Sequence, residues 1–423
     1  MTSLKITIIG AGSPYTPELI EGLSSNKDKL PVKEIVLTDI NEKRLGIMLG
    51  FCRRYAKHLN YNVEINATPD RIKAIQGADF VSVQIRVGGN AARVNDEKIP
   101  LKYGVIGQET TGPGGFMKAM RTIPVMLDIA RDVEKYNPNA WIINYTNPTG
   151  LVAEAINKYT KVKIAGLCAG GMRPQWRTAE ALGVDADSVR YNYVGLNHMN
   201  FAYNITVNGR PITDEEFGKV AEKVGSVNPE LIKKMHLHPS SYLQYYFHTS
   251  HKLNELKTAK YTRGEQVLMM EKDIFAAYAN PEQCTKPELL AKRGGGGYSK
   301  VAIGIIRAIY NNEDKWMVVN VPNNGAIRIL PDDAVIETGC IVNRAGIKPL
   351  AIGELPREVW GLICAVKNYE QLAVEAAVTG DRDTALFALM AHPLVRDYDI
   401  AKPMLDEMLE VNKKYLPQFF QKK

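Results

Sequence analysis

The chain has 423 residues, of which 45% are apolar, 23% charged and 8% aromatic, a globular composition that excludes collagenous, coiled-coil and disordered chains. Its length supports two or three domains with a substantial core. The 53 Lys+Arg against 46 Asp+Glu leave a net charge of +7 with no dense basic run, which argues against a nucleic-acid partner and leaves room for one anion-binding pocket.

In chain order, LKITIIG (4–10) reads as an apolar, β-branched strand, and PELIEGL starts a helix at Pro17 with Glu18 in its first turn. EIVLTDI (34–40) is a second strand, followed by a periodic helical segment from Asn41 to His58. DFVSVQI (79–85), WIINY (141–145) and KIAGLC (163–168) read as later strands, with helices over 115–137 and 148–159. This alternation predicts a mostly parallel, doubly wound, Rossmann-like sheet over residues 1–168. From Tyr191 the pattern changes: NYVGLNHMNFAYNITVNGRPI has period-2 stretches and an Asn208-Gly209 turn, which predicts antiparallel strands. Helices dominate 214–283 and 357–415, separated by a glycine run (293–299) and the loop-like VPNNGAI (321–327). Residues 169–423 are therefore expected to form a mixed α+β domain. The five cysteines (Cys52, Cys168, Cys284, Cys340, Cys364) are far apart and odd in number, so neither a disulfide framework nor a zinc ribbon is expected. The MTSLKITIIGAG start has no leader pattern, and no stretch approaches the ~20 apolar residues of a membrane span. A soluble, cytoplasmic protein is expected.

Four groups of residues bear on chemistry. Gly10, Gly12 and Ser13 lie in a turn between strand and helix, where backbone N–H groups can approach a pyrophosphate. Tyr15 stands where the usual third glycine would be. Asp39, ending the second strand, is placed for ribose hydroxyls and favours NAD over NADP, although Lys43 and Arg44 nearby keep NADP open. Cys168 and His198 form a second group. Their side chains suit a borderline divalent ion, but taken bare the pair reads better as a structural Cys and a core His. The third comprises Arg86, Gly88, Gly89, Arg93 and the 107–115 stretch, read as a long loop at the carboxyl edge of the sheet, with Asn147 facing the same crevice. The fourth is the aromatic cluster Tyr242-Leu243-Gln244-Tyr245-Tyr246, which on its own reads as core.

Together these residues resemble glycoside hydrolase family 4. The similarity runs through GAGSPYTPEL, IRVGGNAARVNDE, GVIGQETTGPGGF, NYTNPTG, GLC, GLNH, VNVPNNGAI and VEAAVTGDRDTALFALMAHPL, in order along nearly the whole chain. QETTGPGGF and VNVPNNGAI are most similar to the 6-phospho-β-glucosidase branch. The resemblance implies a lactate/malate dehydrogenase-like architecture, NAD and a divalent metal, usually Mn²⁺, as cofactors, and a homodimer or homotetramer acting on a small sugar. Family 4 is an exception to two-carboxylate glycoside hydrolysis. Its route is oxidation at sugar carbon 3, proton removal at carbon 2, elimination of the aglycone, water addition and re-reduction. By motif, Cys168 and His198 become the metal ligands, Tyr242 the base at carbon 2, Arg93 and Asn147 substrate contacts, and Arg263 a holder of the 6-phosphate.

One position departs from the family pattern. The residue after the metal-binding Cys is usually Asp or Asn in phosphosugar members, but here it is Ala169, which can neither protonate a leaving group nor hydrogen-bond a hydroxyl. Arg173 or Arg177 offers positive charge to an anionic substrate instead. Two other classes remain for comparison. A 2-hydroxy-acid dehydrogenase would need an Asp partner for His198, absent from the Gly170–Arg177 loop, and a non-catalytic NAD sensor would need none of the metal residues. Within the family, non-phosphorylated glycosides or uronides are the alternative substrates.

Overall fold

The computed structural model describes residues 3–294 and 296–421; Met1 and Thr2 of the N-terminal run and Gly295 of the glycine run lie outside the described residues. Six parallel strands come first: β1 (Leu4–Ile9), β2 (Val32–Thr38), β3 (Glu64–Ala67), β4 (Phe80–Val83), β5 (Trp141–Asn144) and β6 (Lys163–Gly166). They lie side by side in the order 3-2-1-4-5-6, the doubly wound arrangement. β1 is central, with Ile6–Ile9 paired to Phe80–Val83 on one side and to Ile35–Thr38 on the other. All of its residues but Lys5 are buried, which fits its mostly apolar, β-branched sequence. β3 was not legible beforehand, because EINA is short, half polar and at the sheet edge.

Helices α1 (Thr16–Ser24), α2 (Glu42–His58), α3 (Arg71–Ile75), α4 (Gly89–Lys102), α5 (Gly112–Tyr136) and α6 (Thr149–Tyr159) connect these strands. Asn41 caps α2 by accepting from the Arg44 N–H, and Asp70 caps α3. Two apolar layers form. Phe116, Met120 and Ile123 of α5 and Val152 of α6 belong to one, and Ile20, Phe51 and Ile305 to the other.

The 107–115 stretch is loop through Thr111 and helix beyond it. Its second half opens α5 with Pro113 in the first turn, and residues 111–115 are buried. At Gly107 an added Cβ would overlap the Glu97 carbonyl, so the glycines here allow backbone to pack on backbone.

Beyond α7 (Arg173–Leu182) the antiparallel elements begin. β7 (Val189–Leu196) and β8 (Met199–Val207) form a tight hairpin whose two turn residues are Asn197 and His198. The expected Asn208-Gly209 turn follows and leads into β9 (Arg210–Pro211). β10 (His238–Pro239) pairs with β8. β11 (Lys315–Pro322), β12 (Val335–Asn343) and β13 (Gly346–Pro349) extend the large sheet antiparallel beyond β6, with Asn320 opposite Gly166. The nine-stranded sheet thus carries strands from both halves of the chain. Among the described residues no helix is long and apolar enough to cross a membrane.

Candidate active site

A cleft of about 1050 Å³ opens at the carboxyl ends of β1, β2 and β4, where the strand order reverses. Gly10, Gly12, Ser13 and Asp39 line one end of it. Gly10 has φ +81°, and a Cβ there would stand 2.8 Å from the Gln84 carbonyl oxygen, so the turn after β1 requires glycine twice over. The Gly12 N–H donates to Asp39 Oδ2 at 2.8 Å and the Asn41 N–H to Oδ1 at 2.8 Å. Asp39 therefore stitches the turn to β2 while keeping acceptor capacity toward the cleft. Arg44 is turned away from that role: it pairs with Glu271 at 3.2 Å and lies over the Phe275 ring at 4.4 Å. Tyr15, in place of the third glycine, is covered by the Arg293 guanidinium at 4.9 Å from its ring centroid.

Most cations along the cleft are already engaged. Glu109 gathers three of them: Arg86, Arg93 at 3.0 Å and Lys118 at 3.0 Å. Burial works to raise the Glu109 carboxyl, but these three charges win and hold it well below the carboxylate range. Lys118 is pushed down to about 7, first by burial and then by Arg86, against the pull of Glu109. Arg93 also pairs with Glu97 at 2.8 Å, and Glu97 accepts from the Gly264 N–H at 2.7 Å. Arg293 pairs with Glu271 and Arg71 with Asp132. Arg263 lines the cleft, yet its Nη2 donates to the Lys292 and Arg293 carbonyls, each at 2.9 Å, and its Nη1 to Gln266 at 3.0 Å.

The opposite end holds Asn147, Cys168, Ala169, Tyr242 and Tyr298. Tyr242 sits in a single 3₁₀ turn, Ser241–Leu243, capped by the Ser240 side chain, and lines the cleft with Tyr245, whereas Tyr246, in the short helix Gln244–Phe247, packs against the core. Its ring stacks on His198 with centroids 3.7 Å apart and planes 10° from parallel. His198 does not line the cleft; it lies behind Tyr242, at φ +67°, against a small cavity that Thr111, Glu370 and His392 also line. Tyr242 is raised above the usual tyrosine range, by burial first and then by the charges of Cys168 and Glu109.

The donor set suits a borderline divalent cation. His198 is buried, neither ring nitrogen has a protein partner, and burial together with Lys118 pushes its pKa down to about 3. It is thus a neutral imidazole with a lone pair to give. The Cys168 thiol is pushed up to about 12 by burial and by Glu337, while its Sγ accepts from the Gly170 N–H at 3.3 Å. A cation beside it is what would make it a thiolate. No group of three or more His, Cys, Asp or Glu side chains gathers among the described residues, so such an ion would keep positions open for other oxygens.

Sequence reasoning missed Glu337. It is buried under this end, accepting from Asn197 at 3.2 Å, Asn200 at 2.5 Å and Asn320 at 3.1 Å. Burial raises it to about 7 against those three hydrogen bonds. An acid inside the apolar run VIETGCIV, and asparagines flanking His198, were the available signals. Lys118, inside α5, was missed as well.

Comparison with known proteins gives this geometry a family. The family 4 glycosyl hydrolase profile matches residues 5–184, and the profile of its C-terminal domain matches 193–395. The chain is 39% identical to the 6-phospho-beta-glucosidase of Escherichia coli (strain K12), over 98% of this chain and 97% of that one. A 6-phospho-beta glucosidase from Thermotoga maritima, solved with NAD and glucose-6-phosphate, superposes with a TM-score of 0.92 at 35% identity, covering 98% and 99% of the two chains. A second structure of that enzyme also holds manganese. Malate dehydrogenase from Plasmodium falciparum shares the fold alone, with a TM-score of 0.55 at 16% identity and coverage of 90% and 99%. The chain belongs to glycoside hydrolase family 4.

Proposed function

We propose that the protein hydrolyses 6-phospho-β-glucosides, using NAD and a divalent metal, with Mn²⁺ the best fit. The observation that carries this reading is the single cleft in which a dinucleotide-type turn at Gly10–Ser13 and the Cys168–Tyr242 end face one another. In this reading the turn after β1 and Asp39 hold the NAD, while Cys168 and His198 hold the metal. When bound, these groups supply a hydride acceptor for sugar carbon 3 and positive charge beside the oxygens on carbons 2 and 3.

The chain's own residues do the rest. Tyr242 takes the proton from carbon 2, which is acidified once carbon 3 is a ketone. Its raised pKa makes it a poor base as it stands, so positive charge brought beside it is needed to lower that value. Asn147 and Arg93 orient the sugar, Arg93 being fixed by Glu97 and Glu109. Arg263 lies on the wall where a 6-phosphate can be met. Ala169 contributes no proton, so the aglycone leaves by its own acidity or by help from water. The five cysteines are free, which fits work in a reducing, cytoplasmic compartment.

The test is turnover of p-nitrophenyl α- and β-glucosides, with and without 6-phosphate, in NAD⁺, Mn²⁺ and thiol reductant. The β-anomer with 6-phosphate is expected to be cleaved fastest, with activity lost on chelation, restored by Mn²⁺, and total NAD unchanged. Solvent deuterium should appear at carbon 2 of the product. Retention of the original hydrogen there rules out the elimination route.

A further inference from the structure

Eight cationic side chains line the cleft, and seven of them are engaged by the carboxylates or carbonyls described above. Arg173 is the eighth. It is exposed, stands at the first position of α7 four residues beyond Ala169, and has no ion pair or side-chain hydrogen bond among the described residues. One turn on and behind the lining, Arg177 carries a second charge whose Nη1 is buried without a partner among the described residues. The nearest acid on that helix, Glu180, is bound to Lys223 at 2.8 Å. This flank of the cleft therefore keeps a positive field that the protein does not neutralise.

The position of that field separates two parts of a phosphoglycoside. A single 3₁₀ turn, Ala169–Met172, leads from Cys168 to Arg173, and Arg173 lines the cleft together with Cys168, Tyr242 and Tyr298, the end that the proposed function gives to sugar carbons 2 and 3. Arg293 lies instead over the Tyr15 ring, beside the glycine turn, and Arg263 donates to the Arg293 carbonyl. Carbon 1, which bears the aglycone, is bonded to carbon 2, whereas carbon 6 lies across the ring. The adjoining wall is small and uncharged: Ala169 and Gly170, with Gly297 packed so that a Cβ there would stand 3.3 Å from Trp176 and 3.9 Å from the Ala169 Cβ.

The geometry points to Arg173 as the residue that recognises the aglycone, selecting aglycones that carry a negative charge beside the glycosidic oxygen. This rests on the phosphoglucosidase reading and adds its second substrate determinant. A guanidinium meets a carboxylate through two parallel N–H donors, so both charge and fork geometry contribute.

The experiment compares 3-carboxyphenyl and 3-carbamoylphenyl 6-phospho-β-glucosides, which have nearly the same shape and differ in charge, using the enzyme with NAD⁺ and Mn²⁺. Wild type is expected to favour the carboxylate in kcat/KM by about fivefold, a modest figure because Arg173 is exposed. The preference should reside in KM, since binding of a remote group is uniform between ground and transition states. It should fall in about 1 M salt, where the screening length is ~3 Å. Arg173→Ala should bring the ratio to one and Arg173→Lys should restore part of it.

A wild-type ratio of one overturns the assignment. So does an Arg173→Ala enzyme that keeps the preference, or one that instead loses its preference for 6-phosphate over plain glucosides. Turnover of the carbamoyl compound tests the glycosidase reading separately. If neither compound is cleaved, that reading fails, and Arg173 is then judged by calorimetric binding of 3-hydroxybenzoate against 3-hydroxybenzamide, where equal affinities overturn it.

Discussion

The two ends of the cleft are built on different plans. At the nucleotide end, one contiguous stretch does most of the work: β1, the glycine turn and α1, tied to β2 by the Asp39 carboxylate. Backbone groups dominate, and the constraint is how closely peptide can approach peptide. At the end proposed for the sugar, side chains arrive from separate places: Asn147 after β5, Cys168 after β6 and Tyr242 from a 3₁₀ turn, with His198, from a hairpin turn, stacked behind Tyr242. The difference teaches where each kind of change should be felt. Backbone substitutions should injure cofactor binding and fold together, whereas side-chain substitutions at the other end can remove chemistry and leave the fold standing.

The sharpest way to break that contrast is Tyr242→Phe. The ring stack on His198 remains and only the phenolic oxygen goes. We expect kcat to fall by about 10²–10⁴-fold, with Tm and NAD affinity unchanged; a drop in Tm of many degrees would show that Tyr242 is structural after all.

Glu109→Gln comes next, because it sits between the two ends. Three cations would lose their shared counter-charge, a change that costs about 3–5 kcal/mol for buried pairs. The pH sign follows from its lowered pKa. Glu109 contributes stability that is fully present above the unfolded value near ~4.3 and is lost as pH falls through its lower folded value. Urea titrations of wild type and variant should therefore diverge most at neutral pH and converge in strong acid. A gap that widens in acid contradicts this.

Gly10→Ala tests the backbone end. With φ at +81° and the Gln84 carbonyl 2.8 Å away, the added methyl should cost about 1–3 kcal/mol. Fluorescence titration should show weakened NAD binding alongside the lowered stability. Loss of NAD binding with full stability would separate two properties that the turn is argued to share.

The smallest effect is expected at Ala169. Activated nitrophenyl substrates should be cleaved faster than alkyl glycosides, and Ala169→Asp should narrow the ratio of their kcat/KM values about tenfold or less. An unchanged ratio in Ala169→Asp and Ala169→Asn shows that this position takes no part in protonating the aglycone.

The same contrast governs how much could be read from the chain. β1, β2, β4, β5 and β6 were legible because both-face burial leaves short apolar runs between amphipathic helices. The Asp39 and Gly10–Ser13 turn was legible because its logic is local. The family resemblance, not periodicity, raised Cys168, His198 and Tyr242 above a bland reading. The stack of Tyr242 on His198, and the shared lining of Tyr242 and Cys168, depend on well-separated parts of the chain being brought together, which no local pattern encodes. The 107–115 stretch was legible in part: Gln108 and Glu109 do line the cleft from a loop, but the glycines that signal that loop also pack backbone tightly at the start of α5. Glu337 showed in the sequence only as an acid within an apolar run, because its partners, Asn197, Asn200 and Asn320, are brought together only by the neighbouring strands.

The hairpin that carries His198 has a consequence for how this site tolerates change over time. Leu196 and Met199 face each other directly on either side of the two-residue turn, and pairing continues from there down β7 and β8. The imidazole is located by strand register more than by the side chains around it. Single replacements of its neighbours should therefore be absorbed with little displacement. An insertion or deletion of one residue in either strand would send every following side chain to the opposite face and carry the imidazole away. Lineages of this fold are thus held to one hairpin length beside the turn, and to glycine at Gly195, where an added Cβ would overlap the Met199 carbonyl.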